Sequence, residues 1–357
     1  VKCKTVDLEV PATAEIVLEG FIDPADMRLE GPFGDHTGYY SQDGDYPVFH
    51  VTAITHRKNP VYLTTIVGKP PQEDFYMGKA TERIFLPLMR TQLPEIVDMN
   101  MPAEGVFHNL VIVSIDKRFP MQARRLMHAL WGMGQMSFVK IIIVVDGSVD
   151  VHNINLIVDR ILSQDRLDRG LFFSEGILDV LNHASDRPCF GSKLGIDITA
   201  PLEGEDGFDN TVKSPETCPP PSSDTIRKNF PEIKSFQILK RDVQLCVAFA
   251  TLDKQGPGQG IKLIEKFMNN PDCSTVSVLI VLEGHEDVND LSTLMWKLFN
   301  NIDPKRDFHI FENRLGIDVT CKTGEEGYLQ DWPAEIEMSD EIKQRVDKKW
   351  KHLFNEQ

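Results

Sequence analysis

Glu30 and Asp35 stand in the run Glu30-Gly31-Pro32-Phe33-Gly34-Asp35-His36-Thr37-Gly38-Tyr39-Tyr40. Two carboxylates at that spacing, with glycines between them, can converge on one small site as proton donor and charged partner. Pro32 and the glycines at 31, 34 and 38 keep the run out of a helix or regular strand and let the backbone approach a ligand closely. The same residue types are the commonest turn formers. Taken alone they leave two readings open, an acid–base pair and a solvated turn. His36 is a candidate for tuning Asp35 or orienting a substrate, and equally a structural hydrogen-bonding residue. Tyr39 and Tyr40 read as packing.

The elements that must hold this run are β signals. Val6, Leu8 and Val10 alternate with polar residues, 14–18 forms a second strand, and 48–54 and 61–67 are β-branched runs around Lys58-Asn59-Pro60. Closely spaced strands read as a barrel or curved sheet over residues 1–105, with a loop at Gly68-Lys69-Pro70-Pro71 and a packing helix over 77–89. From Asn109 the pattern turns to α/β. Strands are expected at 110–115 and 141–145, the latter buried on both faces, and helices at 121–132 and 151–162. That gives an α/β domain at 106–204, whose methionines at 121, 127, 133 and 136 fill the core. Pro215, Pro219, Pro220, Pro221 and Pro231, with Ser222 and Ser223, mark 205–235 as a partly extended interdomain linker.

Residues 236–357 read as the α/β pattern again. Leu252-Asp253-Lys254 echoes Ile115-Asp116-Lys117 at an offset of 137, and 278–282 echoes 141–145 at the same offset. Asp287-Val288 echoes Asp150-Val151, while Gly316-Ile317-Asp318-Val319-Thr320 echoes Gly195-Ile196-Asp197-Ile198-Thr199 at 121, so the second copy is 16 residues shorter. Where the first copy has Gly191-Ser192-Lys193 the second has Glu312-Asn313-Arg314, which reads as a structural copy. The chain closes on an amphipathic helix capped by Ser339, with Ile342, Val346, Trp350 and Leu353 as its apolar stripe. That helix is expected to pack on its own domain or on a neighbouring subunit.

The 357 residues suffice for two or three domains. A net charge of −16 argues against a nucleic-acid partner, since no basic excess exists to release counterions. The six scattered cysteines read as reduced thiols in a cytoplasmic protein, and no apolar run is long enough for an integral membrane segment. The chain starts at Val1 within a strand-like pattern and reads as the later part of a longer polypeptide.

In order along the chain, Val1-Lys2-Cys3, Glu15-Ile16-Val17-Leu18-Glu19-Gly20, the run from Glu30 to Tyr40, Tyr46-Pro47-Val48-Phe49, Ile54-Thr55-His56-Arg57, Gly68-Lys69-Pro70-Pro71, Pro94-Glu95-Ile96-Val97-Asp98 and the run from Gly191 to Thr199 resemble the signature of the UbiD family, the 3-polyprenyl-4-hydroxybenzoate decarboxylases. The resemblance implies a mixed α/β fold. Its parts would be the carboxy-terminal portion of an FMN-binding split β-barrel, then an α/β domain, then a second, repeated α/β domain. It implies non-oxidative decarboxylation of an aromatic or α,β-unsaturated carboxylic acid, by default a polyprenyl-4-hydroxybenzoate-like precursor in ubiquinone biosynthesis. The cofactor implied is prenylated FMN with a divalent metal, manganese. Carried over by position, Asp35 is the proton donor and Glu30 the partner of an arginine that touches the cofactor. Asp stands at 35 where some members have Glu. His36 becomes a substrate-side candidate, and Lys193 a contact to the cofactor site or to a subunit interface.

In the family that arginine, and the Asn, His and Glu that hold the metal, lie upstream of the motif. The resemblance therefore places them before Val1, and the chain by itself is expected to bind no flavin and decarboxylate nothing. Implied partners are a small aromatic acid, a flavin prenyltransferase as cofactor supplier, and further copies in a homo-oligomer. A rival reading is a non-catalytic oligomerisation module built on the duplicated α/β domain. A hydrolase using Glu30 and Asp35 lacks a nucleophile elbow or metal cluster beside them.

Overall fold

In the computed structural model, residues 1–164, 169–208, 220–239 and 245–353 are described. The chain divides into two compact units, Val1–Asp74 with Pro333–Gln357, and Phe75–Trp332.

The first unit is built on an antiparallel ribbon of β1 (Ile16–Glu30) and β2 (Gly44–His56), paired from Ile16↔His56 to Glu30↔Gly44. Both strands run well past the short runs expected from sequence. Asp23-Pro24-Ala25-Asp26 has turn composition, yet a register shift between Ile22 and Met27 absorbs it, and Pro24, which cannot donate to a ladder, sits in that shift. The strands expected near 6–10 and at 61–67 are absent. The first makes only an isolated bridge, Lys2↔Glu9. In the second, backbone donors go to carboxylates in place of a ladder: Val61 N–H to Glu15 Oε2 at 3.1 Å and Ile66 N–H to Glu73 Oε2 at 3.1 Å. Glu19, buried on β1, folds the amino-terminal segment over the ribbon by accepting the N–H groups of Lys4 and Thr5 at 2.7 Å each. The Lys4 N–H, with those of Thr5, holds its carboxyl below the usual carboxylate range despite the desolvation that opposes it. Leu18, Phe21, Ile22 and Ile54 of the ribbon remain more than half exposed.

The second unit contains α1 (Glu73–Gln92), which begins at the unit boundary, then β3 (Ile96–Asn100), β4 (Leu110–Ile115), α2 (Gln122–Trp131), β5 (Ile141–Asp146), α3 (Ile154–Leu162), β6 (Leu171–Ile177) and β7 (Phe190–Asp197). It continues through α4 (Ser223–Asn229), β8 (Ile233–Leu239), β9 (Val247–Leu252), α5 (Gln259–Met268), β10 (Val278–Glu283), α6 (Leu291–Asn301), α7 (Pro304–Asp307), β11 (Phe308–Phe311) and β12 (Arg314–Asp318). The strands form two five-stranded sheets, β3-β4-β5-β7-β6 and β11-β12-β10-β9-β8. In each, three central parallel strands are flanked by antiparallel edges. The apolar runs of β4, β5, β9 and β10 are buried on both faces, as such runs require.

One core cluster contains Ile112 and Ile143 of the first sheet and Phe249 and Ile280 of the second, with Ile157 of α3 and Leu294 of α6. The far face of the first sheet is covered by the end of α1 and by α2, and that of the second by α4 and α5. The boundary expected at 105 therefore falls near 74. Ile96 of β3 pairs with Ile115 of β4, and Leu86 and Met89 of α1 pack on the same core.

Of the stretch expected as a linker, residues 209–219, with Pro215 and Pro219, lie outside the described residues. Its carboxyl half packs: Ser222 Oγ accepts the Thr225 N–H at 3.1 Å to cap α4, and Ile226 and Phe230 are buried. The terminal helix, α8 (Asp340–Leu353), groups with the ribbon, and Ser339 Oγ accepts the Ile342 N–H at 3.3 Å as expected of a cap. Ile342, Val346 and Trp350 are exposed, while the Leu353 side chain lies outside what is described. No helix among the described residues is long and apolar enough to cross a membrane. Cys218 lies outside the described residues and the other five cysteines are free thiols.

Candidate active site

Glu30 is the last residue of β1, so the carboxylate run starts inside a strand, contrary to the expectation that it stands clear of one. Its side chain is exposed and forms no ion pair among the described residues. The chain then turns tightly. Gly31 and Gly38 take φ of 94° and 86°, the left-handed region that favours glycine. Gly38 N–H donates to Asp35 O at 3.1 Å and Asp35 N–H to Tyr39 O at 3.3 Å, while Gly34 bridges to Tyr40. Asp35 Oδ1 accepts the His36 N–H at 2.7 Å and lies 2.9 Å from His36 Nδ1. The two side chains are 24% and 15% exposed, which makes them a half-buried pair. Thr37 and Tyr39 beneath them are buried, as the packing reading of Tyr39 requires.

A segment some three hundred residues along the chain borders this turn. Tyr40 N–H donates to Ala334 O at 2.9 Å, Ile336 N–H donates to Gly38 O at 2.9 Å, and Tyr39 forms an antiparallel bridge with Glu335. A Cβ placed on Gly34 would lie 2.9 Å from Ile336 Cδ1, so glycine there lets the segment lie close. Lys69, in the Gly68-Lys69-Pro70-Pro71 loop, reaches Glu335 at 2.6 Å and Glu337 at 2.8 Å. Burial alone would lower the Lys69 pKa, but the Glu335 and Glu337 carboxylates hold it above the usual lysine range. Sequence reading missed this segment. The alternation of Ala334 and Ile336 with Glu335 and Glu337 was the available signal.

Two arginines of this unit are committed elsewhere, Arg57 to Glu15 at 2.7 Å and Arg28 to Asp26 at 3.5 Å. Within this unit taken alone, no three His, Cys, Asp or Glu side chains among the described residues converge to metal-ligand distance.

Lys193, the remaining candidate, lies in the second unit and is 2% exposed. Its side-chain amine donates to Ser137 O and Val139 O at 2.8 Å each. Beside it, Ser192 joins the sheets. Its N–H donates to Asp303 Oδ2 at 3.1 Å, its hydroxyl to Asp303 Oδ1, and it accepts the Lys305 N–H at 2.9 Å. Lys140, fully buried nearby, donates to Asn182 Oδ1 at 2.9 Å and Asn300 O at 3.3 Å.

Burial pushes the Lys140 pKa down to about 7 against the pull of Asp303 and Asp307, with Arg306 and Lys193 adding to the fall. An unfolded lysine keeps its proton to about pH 10.4. Between those limits the unfolded chain binds a proton that the folded chain does not, so stability rises with pH. Lys193, pushed to about 7 by burial, acts in the same direction. Above about pH 8.5 the trend is opposed by Cys321 and Cys273, which burial pushes up to about 12 and about 11. Thermal melts from pH 7 to 8.5 should show the melting temperature climbing, with Lys140→Met flattening the climb. An unchanged slope in that variant would remove Lys140 from this role.

Comparison with known proteins completes the picture. An uncharacterized protein of Archaeoglobus fulgidus is 54% identical over 199 residues, covering 56% of this chain and 41% of the relative. One from Helicobacter pylori J99 is 36% identical over 356 residues, covering 97% and 55%. The chain spans about half the length of the curated relatives it matches. Among solved structures, the UbiD-class enzyme HmfF from Pelotomaculum thermopropionicum, in complex with FMN, is 31% identical with a TM-score of 0.50, covering 59% of this chain and 47% of that one. The vanillic acid decarboxylase of Sedimentibacter hydroxybenzoicus, in its open form, is 28% identical with a TM-score of 0.53, covering 65% and 49%. The family model of the 3-octaprenyl-4-hydroxybenzoate carboxy-lyase Rift-related domain matches residues 1–70, and that of the carboxy-lyase carboxy-terminal domain matches 75–198 and 220–327. The chain belongs to the UbiD family of carboxy-lyases.

Proposed function

We propose that this chain is the proton-delivering part of a decarboxylase that acts on an aromatic acid with prenylated FMN. The observation that carries the reading is the half-buried Asp35–His36 pair on a tight, glycine-bearing turn. The His36 N–H and the His36 Nδ1 both lie against Oδ1, so Oδ2 is the oxygen proposed to deliver the proton. When the C–CO2 bond of the substrate breaks, the electron pair stays on the ring or alkene carbon. The Asp35 O–H bond then breaks to give the new C–H bond, and the carboxylate recovers its proton from solvent. His36 holds Oδ1 and so keeps the donor oxygen aimed in one direction.

Glu30 is the charged partner of an arginine supplied outside this chain. The flavin, its divalent metal and their ligands are likewise held by residues of a longer protein. The natural substrate is a polyprenyl-4-hydroxybenzoate-like quinone precursor. Support comes from the family match and from the FMN bound to HmfF. The test is the full-length protein coexpressed with a flavin prenyltransferase. It should be coloured by bound flavin and release CO2 from aromatic acids, while the 357-residue chain does neither. Release of CO2 by the chain alone would overturn the division of labour.

The accompanying fold reading is a split β-barrel, of which β1 and β2 are a part, followed by a duplicated α/β layer. The duplication is supported by register, since adding 137 to the pair Leu110↔Ile141 gives Val247↔Val278. It is supported by chemistry too. Lys117 meets Glu205 at 2.5 Å, and Lys254 meets Glu326 at 2.7 Å. Glu205 also accepts the Met121 N–H, as Glu326 accepts that of Gly258, and both donors have left-handed backbone with φ of 63° and 69°. Arg314 stands where Lys193 does. Its Nε donates to Val276 O at 2.8 Å, as the Lys193 side-chain amine does to Val139 O. The exposed stripe of α8 supports assembly into a homo-oligomer.

A further inference from the structure

We propose that residues 334–337 form a strap that aims the Asp35 turn, and that Lys69 is the positioning residue that fastens it. This rests on the decarboxylase reading above. Within the turn the Gly38 N–H donates to Asp35 O and the Asp35 N–H to Tyr39 O. Three glycines and Pro32 lie within nine residues, and one bridge, Gly34↔Tyr40, with the Ser41 N–H donating to Phe33 O at 2.8 Å, closes its base. Such a segment opens at low cost. The strap adds a hydrogen bond on each side of Tyr39, one to Gly38 O and one from Tyr40 N–H, at 2.9 Å each. Because Asp35 N–H is bonded to Tyr39 O, fixing that limb fixes the backbone that carries the Asp35 side chain.

Side chains of an extended segment alternate in direction. Ile336 lies over Gly34, and Glu335 and Glu337 go the other way to the Lys69 ammonium. Without that cation the two glutamates, two residues apart on one side, repel each other and the strap loses both of its ion pairs to the loop at 68–71. The strap is thus a piece of the chain's far end lent to the proton donor. The lysine of the loop at 68–71 acts through the strap and touches no reacting atom.

The experiment compares wild type, Lys69→Ala and Lys69→Arg in the full-length enzyme. Hydrogen exchange of peptides covering 33–41 and 333–337 should be about 10-fold faster or more in Lys69→Ala and close to wild type in Lys69→Arg, with the β1 peptide unchanged. In the same variant kcat should fall about 10- to 100-fold, as small misplacements of a reacting group do, with KM within about 3-fold. Unchanged exchange in Lys69→Ala overturns the strap, and faster exchange with kcat unchanged overturns its role in aiming Asp35. If Lys69→Ala also deprotects β1, Glu337→Gln, which neutralises the more exposed carboxylate, is read against the same expectations and decides the matter in the same way. A wild-type enzyme that releases no CO2, yet whose exchange responds to Lys69→Ala as expected, leaves the strap standing and removes the decarboxylase reading.

Discussion

Asp35→Asn in the full-length enzyme should lower CO2 release by about 10²- to 10⁴-fold, the range over which a positioned acid accelerates proton transfer. The substitution is close to isosteric, and the amide oxygen still accepts the His36 N–H that Oδ1 accepts at 2.7 Å, so the turn keeps its shape. What disappears is the proton that Oδ2 would carry. Flavin should remain bound, since none of the groups proposed to hold it is altered, and the absorbance spectrum provides that control. Asp35→Glu keeps the acid on an arm one methylene longer and should retain part of the rate. An Asp35→Asn enzyme within about 3-fold of wild type would show that the proton comes from elsewhere.

Asp303→Ala should strongly destabilise the second unit. Asp303 is 8% exposed, accepts both the N–H and the hydroxyl of Ser192, and is the main counter-charge to fully buried Lys140. Its removal strands two donors of β7 and takes away the carboxylate that most favours the charged form of Lys140. Each buried donor left unpaired costs about 1–3 kcal/mol. For a unit of this size the two together correspond to a fall of roughly 10 °C in melting temperature. Ser192→Ala removes one hydroxyl and should cost about 1 kcal/mol. A melting temperature for Asp303→Ala within about 2 °C of wild type would mean that the two sheets do not depend on this contact.

The parts of the fold that could be read from the sequence are those where one physical demand dominates. β4 and β5 are continuous apolar runs because both their faces are covered, and a run of that kind has few alternatives. The ribbon was underread because Asp23-Pro24-Ala25-Asp26 carries turn chemistry that a register shift accommodates, which only the partner strand decides. β3 was placed in the wrong domain for a related reason, since its membership depends on pairing with β4. At the candidate site the Asp35–His36 contact was within reach of sequence, because neighbours in the chain are neighbours in space. The strap was not, because nothing local at 334–337 names its target. Lys193 illustrates the converse. Its place in a family motif points to the cofactor site or a subunit interface, whereas what the fold shows is a donor to the Val139 carbonyl, a place that Arg314 takes at the Val276 carbonyl in the second copy.

The ribbon of β1 and β2 has a consequence for how the protein behaves in a tube. Among the described residues it is a two-stranded sheet, so the outer side of each strand carries backbone donors and acceptors with no ladder partner. Leu18, Phe21, Ile22 and Ile54 lie bare beside those rows, a combination that recruits further strands. Purified at high concentration, the 357-residue chain should stick to itself by this edge, and its solubility should follow whatever covers that edge.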